Sequence, residues 1–303
     1  QNKAFITSTR TRFVGPSHLA SIGAGDVLAI AAQLKVLGDD QSDALWLQWL
    51  NCETAESPLT DSRWIGRATA LLKEEAFAEA SKHDMLRRAV DRFATADDSP
   101  DLRLQDWRRL TSAIVTSLSA DQRAAFATSA KARFLKPAVL ANLTLAELGV
   151  VSEDIKALGD QDPQQVYFDW IVAAPENRSV TGKQVVDRII ALAEDESLGA
   201  GLQNRLAEWV TKHLTAENTQ FAVSVETIAD WRRLANTVVK ILSVPQKEQL
   251  LQRIRGRFAT AESLVSMSYA DVEHLVRSLM VLQDAQNPTT VVKTWLTATA
   301  PKQ

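Results

Sequence analysis

The chain has 303 residues, with 34 Lys or Arg against 37 Asp or Glu and a formal charge of −3. That near balance argues against a nucleic-acid binder, and the longest apolar runs fall far short of the roughly 18 residues that insertion into a bilayer requires. The single cysteine, Cys52, allows neither an internal disulfide nor a cysteine-based metal site.

Eleven Gly and nine Pro in 303 residues favour helices, and eight Trp against two Tyr is an unusual ratio that needs a structural reason. From the first residues onward the chain reads as helical. Phe5, Thr9 and Phe13 fall on one helical stripe and mark a solitary second helix, so the chain starts in mid-repeat. Either a further domain or partner packs at this N-terminal end, or residues 1–13 form a capping helix. A chain beginning at Gln1 and poor in cysteine also leans towards an exported protein.

Segments with the look of helix ends then recur along the whole chain. Their apolar marks are Phe13, Leu50, Phe93, Phe134, Ile171, Leu214, Phe258 and Leu296, at spacings of 37 to 44 residues. Upstream of these marks apolar residues fall at i−4 and i−8, as in Met85, Ala89, Phe93 and Leu250, Ile254, Phe258, which is helical rather than strand periodicity. Each interval also holds a first helix, for instance Trp107, Leu110, Ile114 and Leu118. The connector Leu-Ser-x-x-Gln at 118–122 and 242–246 puts Ser119 and Ser243 at N-caps, with the Gln completing a capping box. Asp162-Pro163 and Asn287-Pro288 read as starts of short second helices.

A longer period contains the short one. Residues 104–134 match 228–258 at an offset of 124 with eleven of 31 positions identical, where chance gives about two. Residues 37–49 match 158–170 at an offset of 121. The residue before each apolar mark follows the same rhythm: Arg12, Trp49, Arg92; Arg133, Trp170, His213; Arg257, Trp295. The expectation is an all-α, right-handed superhelical array of about seven hairpins of ~40 residues, with a superperiod of three hairpins. Residues 1–303 would form one elongated repeat domain, because a two-helix unit buries its apolar face only against neighbours.

In these features the chain resembles the α-solenoid class, the tetratricopeptide-like and HEAT-like helical repeats. Trp107-x-x-Leu110 is similar to the opening of a tetratricopeptide unit, and Pro16 or Pro137 to its closing proline. The small-residue pattern of that family's second helix is missing, and the period is nearer 40 than 34. The resemblance implies a concave surface that binds a protein or peptide.

No phosphate loop, nucleophile elbow or metal-ligand spacing is present, and the four His stand apart from one another, so no catalytic residue, metal or cofactor is expected. Asp97, Asp98 and Asp101 invite a calcium reading but lack the central Gly and final Glu of an EF-hand loop, and read instead as an inter-repeat turn. Asp39, Asp160 and Asp284 are equivalent by the offsets, which points to capping. The binding candidates are a basic series in the last turn of the second helices, Arg12, Arg92, Arg133, His213 and Arg257, extended by Arg109 and Arg233 after Trp107 and Trp231. Helix-dipole complementation explains such a series; the functional alternative is a basic edge meeting acidic peptide ends. Five Trp recur with the repeat (Trp49, Trp170, Trp295; Trp107, Trp231) and read as packing between hairpins, leaving Trp46, Trp64 and Trp209. A strip of exposed rings stacking on sugar or peptide is the alternative. Two functions lead: a non-catalytic scaffold for a protein or peptide, or the accessory region of a cell-envelope or carbohydrate-processing enzyme. A third, a catalytic all-α enzyme with its site in a central cavity, predicts a cluster of non-repeating ionisable residues that the sequence does not display.

Overall fold

A computed structural model describes residues 2–55, 58–94, 102–176, 178–215, 227–284 and 288–299. The described residues hold 18 α-helices, joined by turns and short 3-10 segments, and no β-sheet. The acidic cluster Asp97, Asp98 and Asp101 and the cap residue Asn287 lie outside the described residues. No helix among the described residues is long and apolar enough to cross a membrane.

Contacts gather the chain into two compact units, Gln1–Phe134 with Val150–Pro163, and Leu135–Gly149 with Gln164–Gln303. The first unit contains α1 (Asn2–Phe13), α2 (Pro16–Ser21), α3 (Ala24–Val36), α4 (Leu45–Leu50), α5 (Asp61–Lys73), α6 (Glu79–Phe93), α7 (Leu104–Ile114) and α8 (Ala120–Phe134). The second contains α9 (Pro137–Leu140), α11 (Gln165–Val172), α12 (Gly182–Glu194), α13 (Gly199–Thr215), α14 (Ile228–Val238), α15 (Val244–Phe258), α16 (Ala261–Val265), α17 (Tyr269–Val281) and α18 (Pro288–Thr299). Helix α10 is Leu145–Ala157.

Within the first unit α5 packs on α3 and α7, and α6 on α8; within the second α14 packs on α12 and α17, and α13 on α15. Most of these pairs join second neighbours in sequence, while α14 meets its third neighbour α17, and the contacts bury an apolar stripe on the helices that pack. On α7 the stripe is Trp107, Leu110 and Ile114, and on α14 it is Trp231, Leu234 and Val238, with both indoles 1% exposed. The connectors between α7 and α8 and between α14 and α15 form the capping boxes that their sequence predicts. Ser119 and Ser243 donate their backbone N–H to Gln122 and Gln246 at 2.9 Å. The turn at Asp162-Pro163 precedes α11, which begins two residues later at Gln165 and is eight residues long.

Side-chain ties recur at the offsets of the sequence repeat. After α3, α10 and α17 the chain turns through a left-handed residue, Gly38 (φ 85), Gly159 (φ 89) or Gln283 (φ 61), in a Schellman arrangement with paired backbone bonds. The next residue is Asp39, Asp160 or Asp284. Its carboxylate is clasped by the base 29 positions upstream: Arg10 Nε to Asp39 at 2.6 Å, Lys131 to Asp160, and Arg255 Nε to Asp284 at 2.9 Å. Arg10 holds the Asp39 carboxyl below the usual carboxylate range. A negative charge beside helix C-terminal carbonyls is unfavourable alone, so the base neutralises it where it is buried.

The Trp register recurs in the same way. The indole N–H of Trp49, Trp170 and Trp295 donates at 3.1 Å to the carbonyls of Ile22, Leu143 and Met267 respectively. Beyond the Trp, Arg67 in the first unit donates to the Trp49 and Cys52 carbonyls at 2.8 and 2.6 Å. Arg188 in the second donates to those of Trp170 and Ala173 at the same distances. Each guanidinium satisfies carbonyls left open at the end of a short helix, α4 or α11, and stacks over the Trp ring at 5.5 or 5.2 Å. At the beginning of the chain Phe5 is 60% exposed and Phe13 37% on α1.

Candidate functional site

Six of the eight Trp are buried, while Trp209 and Trp295 are half-buried. Trp46 and Trp64, outside the repeated registers, pack edge-on against Phe77 and Phe93 at 5.4 and 5.3 Å between ring centres. Trp209 differs. It lies on α13, stacked on His213 with ring centres 4.4 Å apart and planes 18° from parallel. The His213 ring is oriented by its Nδ1, 2.9 Å from the Trp209 carbonyl, which requires the proton on Nδ1.

These rings wall a cleft of about 410 Å³ in the second unit, between α11 and α13. Helix α11 contributes Gln165, Phe168, Asp169 and Val172, which follow one another at helical spacing. Gln165 Nε2 donates to Asp169 Oδ1 at 2.9 Å. Phe168 is buried and carries the Arg205 guanidinium 5.0 Å above its ring, while Arg205 Nη1 reaches Gln164 Oε1 at 3.4 Å. Along α13 the wall continues with Glu208, Trp209, Lys212 and His213. One turn of helix thus separates Arg205 from the Glu208 and Trp209 pair, and a further turn separates that pair from Lys212 and His213. Glu208 and Lys212 are exposed. They have the i, i+4 order that favours an ion pair, yet no ion pair joins them, whereas Arg277 and Glu273 do close one.

The basic series meets varied partners. Arg92 is bonded through Nε and Nη2 to Asp61 Oδ1 at 3.0 and 2.7 Å and lies over Trp64 and Phe93. Arg133 Nε donates to Ser129 Oγ at 3.2 Å. Arg12 and Arg257 lie over the rings of Phe13 and Phe258 at 5.5 and 5.2 Å. Arg233 pairs with Asp187 at 2.7 Å, and Arg109 is exposed. Of the series, only His213 lines the α11/α13 cleft. Phe168, Asp169, Arg205, Glu208 and Lys212 were not singled out by sequence. At an offset of 121, Arg205, Glu208, Trp209, Lys212 and His213 stand where α6 has Asp84, Arg87, Arg88, Asp91 and Arg92; the buried positions between them differ as well, so the offset alone does not single these five out.

A second polar feature lies inside the first unit. Trp107 Nε1, Thr111 Oγ1 and Asp154 Oδ2 are buried with no hydrogen-bond partner among the described residues. Burial pushes the Asp154 carboxyl up to about 6, against the pull of Arg108 and helped by Glu153. A neutral acid there lowers the cost of burial. Among the described residues no group of three His, Cys, Asp or Glu is arranged to hold a metal. Cys52 is buried, with Sγ 3.2 Å from the Pro16 carbonyl. No family model matches the chain, and no curated protein or solved structure matches it.

Proposed function

We propose that the protein is a non-catalytic helical-repeat scaffold, of about seven hairpins with a period of three, that binds a protein or peptide partner through the cleft between α11 and α13. Recurrence of the Asp clasp at offsets of 121 and 124, of the Trp register at 121 and 125, and of the arginine plug at 121 supports the repeat. The observation that carries the binding reading is Trp209: a half-buried indole in an open cleft, with charges on both sides. Repeat proteins keep interior positions constant and vary surface positions where partners dock. An aromatic ring with polar neighbours is the usual anchor of a peptide interface. Arg92 and Arg233 are engaged in ion pairs within the fold, and of the basic series only His213 lines this cleft, so we assign the binding role to His213 and its neighbours.

The second reading, an accessory region of a cell-envelope or carbohydrate-processing enzyme, draws on the same indole. A ring beside Gln165 and Asp169 also suits a sugar. A peptide array probed with the wild-type protein and Trp209→Ala separates the two. The scaffold reading expects a subset of peptides held by the wild type and released by the variant, with circular dichroism unchanged. Retention indifferent to Trp209→Ala, or retention of oligosaccharides in place of peptides, refutes it.

A further inference from the structure

Resting on the peptide reading above, the order of charges along the cleft assigns the chemistry of its occupant. Arg205, then Glu208 beside Trp209, then Lys212 beside His213 present cation, anion, cation at intervals of one helical turn, with Asp169 on the facing wall. A turn is about 5.4 Å, and two residues of an extended chain advance about 6.6 Å, so alternate residues of a strand-like peptide fall opposite successive turns. We propose that the cleft takes an extended peptide segment with a Lys or Arg flanked, two residues away on each side, by Asp or Glu. The central cation sits against the Trp209 indole between Glu208 and Asp169, and the flanking carboxylates face Arg205 and Lys212. An indole with adjacent carboxylates favours a cation over a neutral side chain, because the ring quadrupole and the carboxylates attract it together. Glu208 and Lys212, left unjoined to each other, keep their charges for the ligand. The α6 surface 121 residues earlier is closed to such a ligand, because Arg87 and Arg88 are both paired with Asp84, at 2.7 and 3.0 Å.

The test is a fluorescence titration with two capped seven-residue peptides, one with central Lys and flanking Glu, the other with central Glu and flanking Lys, and with a neutral oligosaccharide. The inference expects the Lys-centred peptide to bind about tenfold more tightly at low salt, and the exposed double swap E208K with K212E to reverse the preference. Equal binding of the two peptides, or tighter binding of the Glu-centred one, overturns the charge assignment and leaves the peptide scaffold standing. Binding of the oligosaccharide with neither peptide bound overturns both. A preference that survives in Trp209→Ala also sinks the assignment, since the cation would then be seated elsewhere.

Discussion

Helices α6 and α13 stand 121 residues apart, at the offset of the sequence repeat; no residue coincides between them at that offset, and what they share is the apolar character of the inward face. The inward residues correspond one by one: Met85, Leu86, Ala89 and Phe93 on α6, and Leu206, Ala207, Val210 and Leu214 on α13, all buried. Two helices before them, α4 and α11 carry the same Trp, and the intervening α5 and α12 supply the same arginine plug. The outward faces share no residue. On α6 Asp84 binds Arg87 and Arg88, and Arg92 binds Asp61, so the charges are spent within the fold. On α13 an indole replaces Arg88, a histidine replaces Arg92, and Glu208 and Lys212 stay apart. Packing fixes the apolar character that both helices need on their inward face, and the surface is where they can diverge without cost to the core.

Four experiments test this division, from the largest expected effect to the smallest. Trp64→Ala, which removes a ring 2% exposed against Phe93, is expected to cost about 3 to 5 kcal/mol in urea unfolding, while Trp209→Ala costs less than about 1 kcal/mol. A large loss at Trp209 would make it a core residue and end its role as a surface anchor. Arg67→Met and Arg188→Met each leave helix-end carbonyls without a donor and are expected to cost about 2 to 4 kcal/mol, equal within about 1 kcal/mol. If one is silent, the plug is not a repeated structural device.

Asp154 extends the comparison to α7 with α10 and α14 with α17, where the offset of 124 pairs Thr111 with Ala235 and Asp154 with Ser278. The carboxyl has its folded pKa raised to about 6, from 3.8. Between these values the native state binds more protons than the unfolded chain, so this group's contribution to stability falls as pH rises from about 4 to 6 and is flat above. Asp154→Asn is therefore expected to stabilise the protein at pH 7 by about 1 to 3 kcal/mol, and the gain should vanish near pH 4. A gain independent of pH would refute the buried-acid account. Last, Gln283 holds a left-handed conformation where the two other copies have Gly38 and Gly159. Gln283→Gly should raise stability by about 0.5 to 1 kcal/mol, read as a small increase in the midpoint of thermal unfolding.

Much of this fold is legible in the sequence because helices write their periodicity locally. The i−4 stripes ending at Phe93 and Phe258 and the Ser-x-x-Gln connectors can be read within 15 residues, and they mark real helices and caps. The Asp clasps are half legible. Recurrence of Asp39, Asp160 and Asp284 marks them as structural, but the partner 29 residues upstream is invisible until the helices pack. Arg67 and Arg188 recur at 121 and could have been found by extending the self-comparison; their function as plugs depends on the three-dimensional position of helix ends. The cleft was least legible. A search for what repeats finds the scaffold and passes over Trp209, Glu208 and Lys212, which become a site only once α11 and α13 pack side by side.

The arginine plugs bear on how the chain reaches its folded form. Arg67 reaches back 15 to 18 residues and Arg188 15 to 47, and the Asp clasps span 29. Most of these ties join segments fewer than 30 residues apart, and contacts of short reach close with less loss of chain entropy than distant ones. Each plug sits C-terminal to the carbonyls it satisfies, so a helix end waits open only until the next helix emerges from the ribosome. Assembly can thus follow synthesis step by step, with each newly made helix completing the one before it.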